Sequence, residues 1–465
     1  MSGADPQEKG GADTGRHAAA QIYIHVFPLL LADMVRRAHP MSPGHFRLLK
    51  EGAAILAPGI DEEDERLVVA SAWVDLSQGP HILRIPDTRR RYFVLTLFDT
   101  AGDSFASFGS RTGSDQGLDL ALVGPRWRGE LPQGLMARRS PSDGVWALAR
   151  IHADSVLDRE EAESLASEFS IGELHAPMRR RAGPAPDLEP PTAPILRQVL
   201  ELSASVFFHR LNALLQRAPD ASRAALLAEL SPHRAELEGP LKSSQLRPDV
   251  AHSIEAAVAD AITEIREAAL RHGAVGSDWR SATWSDTATL GPLERAARAY
   301  AQMGAPSRQD LQTFVTDLDA SGRLISGSNG YRLRFLHGEL PPVRGYWRLS
   351  TSPPAANDLR RGVGSRSELV LEPDGTLELA IQRDLPAIAQ IPNWLPAPSG
   401  RFSLVMRLHW PLAAALSPGW RPPPVERVEA EAGSSPGAGH GSSPRRTPDI
   451  LPDRETASSS WSILP

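Results

Sequence analysis

At 465 residues, 41% of them hydrophobic, the chain is too long for one ordinary core and apolar enough to fill two or three. Its net charge of −6 gives no electrostatic reason to seek nucleic acid, and the absence of cysteine excludes disulfides, thiolate nucleophiles and Cys-ligated zinc. Positive charge is nearly all arginine, with lysine only at Lys9, Lys50 and Lys242; arginine suits bidentate pairing with carboxylates or phosphates, although a GC-rich genome enriches it too.

Residues 1–17 are polar and glycine-rich and read as disordered, without the charged-then-apolar order of a secretion signal. A helix is expected from Ala18 to Arg37, with Pro28 kinking it or marking its true start. Its apolar run, Ile22 to Leu31, is interrupted by His25 and Pro28 and falls short of the ~20 residues that span a bilayer. A soluble protein is the expectation, cytoplasmic by default, with nothing that fixes the compartment.

Leu67 to Leu76, His81 to Ile85, Arg91 to Asp99 and Val145 to His152 read as strands separated by Gly-Pro, Pro-Asp and Gly-Asp punctuation. Tyr92 to Phe98 is apolar almost throughout, as in a strand covered on both faces. The period then changes. Leu196, Leu200, Phe207, Leu211 and Leu214 fall on one helical face, and Ile254, Val258, Ile262, Ile265 and Ala269 form another stripe, stopped by His272-Gly273. Ala182 to Pro194 is a Pro-rich linker, and a further helix is expected from Pro292 to Met303. From Gly330 to Val428 the pattern is antiparallel β. Ser367 to Leu371 and Thr376 to Ile381 flank the turn Glu372-Pro373-Asp374-Gly375, and Phe402, Leu404, Met406, Leu408 and Trp410 alternate with Arg401, Ser403, Val405, Arg407 and His409. The fold class expected is α+β and multidomain: two antiparallel β-sandwich-like domains joined by a helical segment. Their spans are 18–157 with the N-terminal helix, 158–310 for the helical segment, and 311–428, followed by a disordered tail over 429–465.

An ordered set of phrases carries a resemblance. Ser71-Ala72-Trp73-Val74-Asp75-Leu76-Ser77, Arg91-Tyr92-Phe93-Val94-Leu95, Gly109-Ser110-Arg111-Thr112-Gly113, Gly124-Pro125-Arg126-Trp127-Arg128-Gly129 and Ser140-Pro141-Ser142 resemble the bacterial domain of unknown function 1254. Gly327-Ser328-Asn329-Gly330-Tyr331, Leu340-Pro341-Pro342, Tyr346-Trp347, Pro373-Asp374-Gly375 and Asn393-Trp394-Leu395-Pro396 resemble its usual partner, domain 1214. The resemblance implies the same two sandwiches and a helical join, and supplies no settled reaction. The chain departs from the pattern in three places. An Asn-x-Asp-Thr-x-Tyr phrase is replaced by Asp64 to Val69, and two tyrosine positions correspond to Ser352 and His409. Lost phenols remove hydroxyls that could position a substrate.

Residue chemistry narrows the function without fixing it. The histidines are scattered, with no His-Glu-x-x-His phrase, so no metal and no cofactor are expected; Asp61-Glu62-Glu63-Asp64 reads as a solvated loop. Gly109 to Gly113 lacks the ending of a P-loop and reads as a hairpin loop, and no Gly-x-Ser-x-Gly elbow occurs. Asp75, Asp99 and Asp103 sit at strand ends, where turn formation is the commoner role; Asp99 is the candidate general base. Arginine beside tryptophan in loops is the remaining signal. The resulting expectation is a soluble protein, non-catalytic or catalytically reduced, binding an anionic or polyhydroxylated small molecule in a cleft between the β domains. Arg111, Trp127, Arg139, Arg366 and Trp394 are its candidate ligand residues: arginines for the anion, indoles for an apolar wall. Two alternatives stand beside it. One is a hydrolase or oxidative enzyme acting on carboxylated or saccharide substrates through Asp99. The other is an assembly or scaffold protein, including a homo-oligomer, using a sheet edge or the Leu196–Leu214 face. No nucleic acid and no membrane span are expected.

Overall fold

The computed structural model describes residues 6–38, 45–49, 57, 67–155, 157–174, 193–217, 227–228, 248–272, 279–284, 289–353, 355 and 362–428. The expected tail, the acidic run and nearly all of the Pro-rich linker lie outside these residues, as do residues 1–5.

The chain opens with α1 (Pro6–Ala38), an uninterrupted helix that contains Pro28. Two expectations are thereby corrected: residues 6–17 are helical, and Pro28, lying inside the element, does not mark its start. Burial explains the second. Ile22, Tyr23, Val26, Phe27, Leu30 and Leu31 are all sunk in a shared core, and tertiary packing of that size outweighs the cost of about 3 kcal/mol that an interior proline imposes. Once that core fixes the nucleus, extending the helix toward Pro6 costs little more.

The first sandwich follows. Its strands are β1 (Arg47–Leu49), β2 (Leu67–Asp75), β3 (His81–Asp87), β4 (Phe93–Phe98), β5 (Ser104–Gly109), β6 (Gln116–Val123), β7 (Met136–Arg139), β8 (Gly144–His152) and β9 (Ser170–Glu173), with α2 (Arg159–Ala166) before the last. They form one sheet in the order β1-β2-β8-β4-β5 and a second in the order β7-β6-β3-β9. All pairings are antiparallel except β6 with β7. Leu83, Ile85, Phe93, Leu95, Leu97, Leu122, Ala147 and Ile151 fill the space between the sheets. The sandwich thus runs to Glu173, past the expected boundary at 157, because β9 is too short to show an alternation of its own.

The outer face of the five-stranded sheet carries Trp73, Phe98, Trp146 and Leu148, which pack under the helices α1, α3 (Ile195–Leu200), α4 (Ala204–Arg217), α5 (Pro248–Arg271) and α6 (Pro292–Gln302). Covered on both sides, β2 and β8 are buried without alternation. The Leu196–Leu214 face is split at Glu201–Ser203, where the backbone N–H of Ala204 donates to Glu255 of α5 (3.0 Å) and restarts the helix.

The second sandwich comprises β10 (Arg280–Ser281), β11 (Leu311–Thr316), β12 (Gly330–Phe335), β13 (Val343–Ser352), β14 (Val363–Gly364), β15 (Leu377–Gln382), β16 (Trp394–Pro396), β17 (Ser403–Pro411) and β18 (Val425–Val428), with α7 (Ala413–Leu416) before the last strand. The sheets run β10-β11-β17-β13-β14 and β16-β15-β12-β18, with β15–β16 the parallel pair. Phe402, Leu404, Met406 and Leu408 point into its core, as their alternation requires. Ser367 to Leu371, expected as a strand, is irregular. The Asn393 side chain replaces a neighbouring strand there, accepting from the Val370 N–H (2.9 Å) and donating to its carbonyl (2.7 Å). The following turn forms as its residues demand: Gly375 has φ 81° and its N–H donates to the Glu372 carbonyl.

Candidate functional site

The helical layer covers only part of the first sandwich's outer face. Past Leu148, β8 turns the side chains of Arg150 and His152 the same way; Tyr346 of the second sandwich covers His152, and the Gly304 carbonyl meets Arg150. Tyr92 and Val94 from the first sandwich meet Tyr346 and Trp410 from the second. Tyr346 stacks on His409 (centroids 4.0 Å, 11° between planes), lies 4.5 Å from the His152 ring, and meets Tyr92 edge-on at 5.5 Å. Burial pushes the Tyr92 hydroxyl well above the usual phenol range, so it stays a neutral donor, directed at the Asp310 carbonyl (3.4 Å). Arg150 and Arg348 are buried nearby, and Arg150 donates to the Gly304 carbonyl.

Two adjoining hollows open at this seam and share His152 and Arg366. The smaller, about 20 Å³, is bounded by Tyr346, Arg348 and the β14 backbone. The larger, about 380 Å³, is lined by the basic turn Thr88, Arg89, Arg90, Arg91 and Tyr92 together with Asp154, Glu161, Ser164 and Glu168. Arg91 is committed to structure: it donates to the His152 carbonyl (3.0 Å) and to Glu161 (3.2 Å), and grips Asp158 with both arms, holding that carboxyl at about 2. Arg366 reaches across from the second sandwich to Asp154 (3.0 Å), with its guanidinium 5.8 Å from the Tyr346 ring centroid. Among the described residues no three His, Asp or Glu side chains converge as metal ligands would.

The expected site residues disperse. Arg366 lines both hollows. Arg111 crosses the same seam, but the carboxylate it meets belongs to the protein. Its Nε donates to Asp310 (2.6 Å), which also accepts from Ser107 (2.6 Å) and Ser307 (2.7 Å) and is 3% exposed. Trp127 and Arg139 sit together on the outer side of the β7-β6-β3-β9 sheet. There Arg139 donates to the carbonyls of Gly124, Pro125 and Trp127, stapling the loop, while Trp127 covers Ile82 and Val123. Trp394 donates its indole N–H to the Gln382 carbonyl (2.8 Å) on the second sandwich. None of these three lines either hollow. Asp99 occupies a turn, where its Oδ1 accepts the N–H groups of Ala101 (2.9 Å) and Asp103 (3.0 Å). Burial, then the neighbouring Asp103, raises its carboxyl to about 6. It lines neither hollow.

Sequence reasoning did not select Arg89, Arg90, His152, Tyr346 or His409. One signal was present: His409, where the resemblance leads one to expect tyrosine, is the residue stacked on Tyr346.

Residues 57–173 match the family described as protein of unknown function DUF1254, and residues 310–413 match that described as DUF1214. No curated protein matches the chain. Among solved structures, the VPA0106 protein from Vibrio parahaemolyticus aligns over 90% of this chain and 100% of its own, with TM-score 0.59 and 18% identity, a likeness of fold. An uncharacterized protein from Burkholderia cenocepacia aligns over 92% and 90% at TM-score 0.43 and 12% identity.

Proposed function

We propose, for a chain built from a DUF1254 domain followed by a DUF1214 domain, that it binds an anionic or polyhydroxylated small molecule in the cavity at the seam of its two sandwiches. The observation that carries this reading is the larger hollow. Arg89 and Arg90, joined by Arg366 as the one lining residue from the second sandwich, border a space of about 380 Å³ otherwise lined by the first domain, Arg91 being held there by its own carboxylate partners. That volume falls within the range of roughly 300–1,000 Å³ usual for small-molecule sites. Guanidinium forks recognise carboxylate or phosphate bidentately, and the carboxylates of the lining accept hydrogen bonds from hydroxyls.

Calorimetric titration tests it, with gluconate, glutarate and inorganic phosphate as probes. At least one is expected to bind saturably, with affinity falling as salt rises, and Arg366→Ala should weaken it about tenfold, a loss of about 1.4 kcal/mol. No saturable binding by any of the three, or binding indifferent to Arg366→Ala, would contradict the reading.

A further inference from the structure

We infer that the turn Thr88–Arg91 receives the anionic end of the ligand, and that the ligand is a polyhydroxylated carboxylate of the sugar-acid class. The inference rests on the binding function proposed above and assigns its specificity. The N–H of Arg91 donates to the Thr88 carbonyl (2.9 Å), closing a four-residue turn whose central residues Arg89 and Arg90 have φ of 52° and 66°. Positive φ at both positions is the signature of a type I′ turn, which Asn-Gly fills without strain. An L side chain other than Asn or Asp enters this region at a cost. Here two successive arginines occupy it. The turn is also held in place: Thr88 is buried, and its hydroxyl lies within hydrogen-bonding reach of the Arg91 carbonyl (3.2 Å) and the Asp115 carbonyl (3.3 Å). Both arginine side chains are exposed, both line the cavity, and neither makes an ion pair with the described residues.

Strain at a cavity wall that supplies two open guanidinium forks has a ready use in binding an anion. The acidic lining limits which anion. Asp154 and Glu161 are already paired, with Arg366 (3.0 Å) and Arg91 (3.2 Å), and Glu168 adds a further carboxylate, so a molecule charged along its whole length is disfavoured, whereas carboxylate oxygens and Ser164 accept hydrogen bonds from hydroxyls. One carboxylate at the turn and a hydroxylated body toward α2 satisfies both parts of the lining.

The test replaces the turn with the pair its backbone prefers, Arg89→Asn with Arg90→Gly. Relief of strain should raise Tm by roughly 1–3 °C, so failure to fold is not the expected hazard. Gluconate should bind the double variant at least tenfold more weakly than the parent. Glucitol, which has the hydroxyls without the carboxylate, should bind both proteins weakly and alike. A more stable variant with unchanged gluconate affinity overturns this assignment while leaving the cavity as a binding site. A parent that binds phosphate or glutarate but not gluconate overturns the ligand class alone. A parent that binds none of the three overturns both proposals.

Discussion

One face of one sheet behaves in two ways. Along β8, Trp146 and Leu148 point outward under the helices, whereas Arg150 meets the Gly304 carbonyl and His152 meets Tyr346 of the second sandwich. All four are buried, on the same strand and with the same geometry. At the apolar end Trp146 stacks on Trp73 (5.4 Å, 4°) and donates to Ser71 (2.8 Å). The polar end brings together two histidines, two tyrosines and buried arginines, and a cavity opens beside them. The lesson is that burial alone does not mark a core. Dry, dispersive packing holds the first end together, whereas the second accepts the desolvation of charged groups, a cost that fold stability alone does not require.

Substitutions can sharpen or break this contrast. The largest effect belongs to the apolar end: Trp146→Ala should destabilise the fold by about 3–5 kcal/mol in denaturant titrations. A loss under about 1 kcal/mol would mean the helical layer does not depend on that end. At the seam, Arg111→Met leaves the Asp310 carboxylate buried without its cation and should cost about 3 kcal/mol by the same measurement. The cost would be felt jointly by both sandwiches; two separate unfolding transitions in the parent would show that the seam does not couple them.

Asp99 tests the apolar end through pH. It follows Phe98, and its folded pKa, about 6, lies above the ordinary carboxylate value of 3.8. The native state therefore prefers the neutral acid, so stability falls as pH rises from 3.8 to about 6 and is level beyond. Asp99→Asn keeps the oxygen that accepts from Ala101 and Asp103. It should gain on the order of 2 kcal/mol at pH 8 and nothing at pH 3.5. A gain equal at both pH values would contradict the assignment. The smallest stability effect is at the cavity. Arg366 and Asp154 are 43% and 66% exposed, so Arg366→Ala should change stability by less than about 0.5 kcal/mol, while weakening ligand binding. A larger loss of stability would make Arg366 a structural strut.

Much of the fold was legible because alternation and helical period are local signals. β17 shows it: Phe402, Leu404, Met406 and Leu408 enter the core as spaced. The misreadings arose where a distant group intervened: Asn393 replacing a strand beside Val370, Glu255 restarting α4 at Ala204, and a tertiary core carrying α1 through Pro28. The site was less legible, since its walls come from the β3–β4 turn, the end of β8, α2 and the turn after β14, which meet only in the folded chain. Arg111 looked like an anion binder and pairs with a carboxylate, but its own chain's Asp310. Nothing in the sequence singled out Arg89 and Arg90. Only their positive φ and their place on the cavity set them apart.

The central claim is that the space between the sandwiches is a ligand site. A crystal structure of the protein grown in saturating gluconate tests it most directly. The account predicts one molecule in the seam cavity, its carboxylate within hydrogen-bonding distance of Arg89, Arg90 or Arg366 and its hydroxyls toward Glu161 and Glu168. An empty cavity with gluconate bound elsewhere, or with its carboxylate turned toward α2, would contradict it.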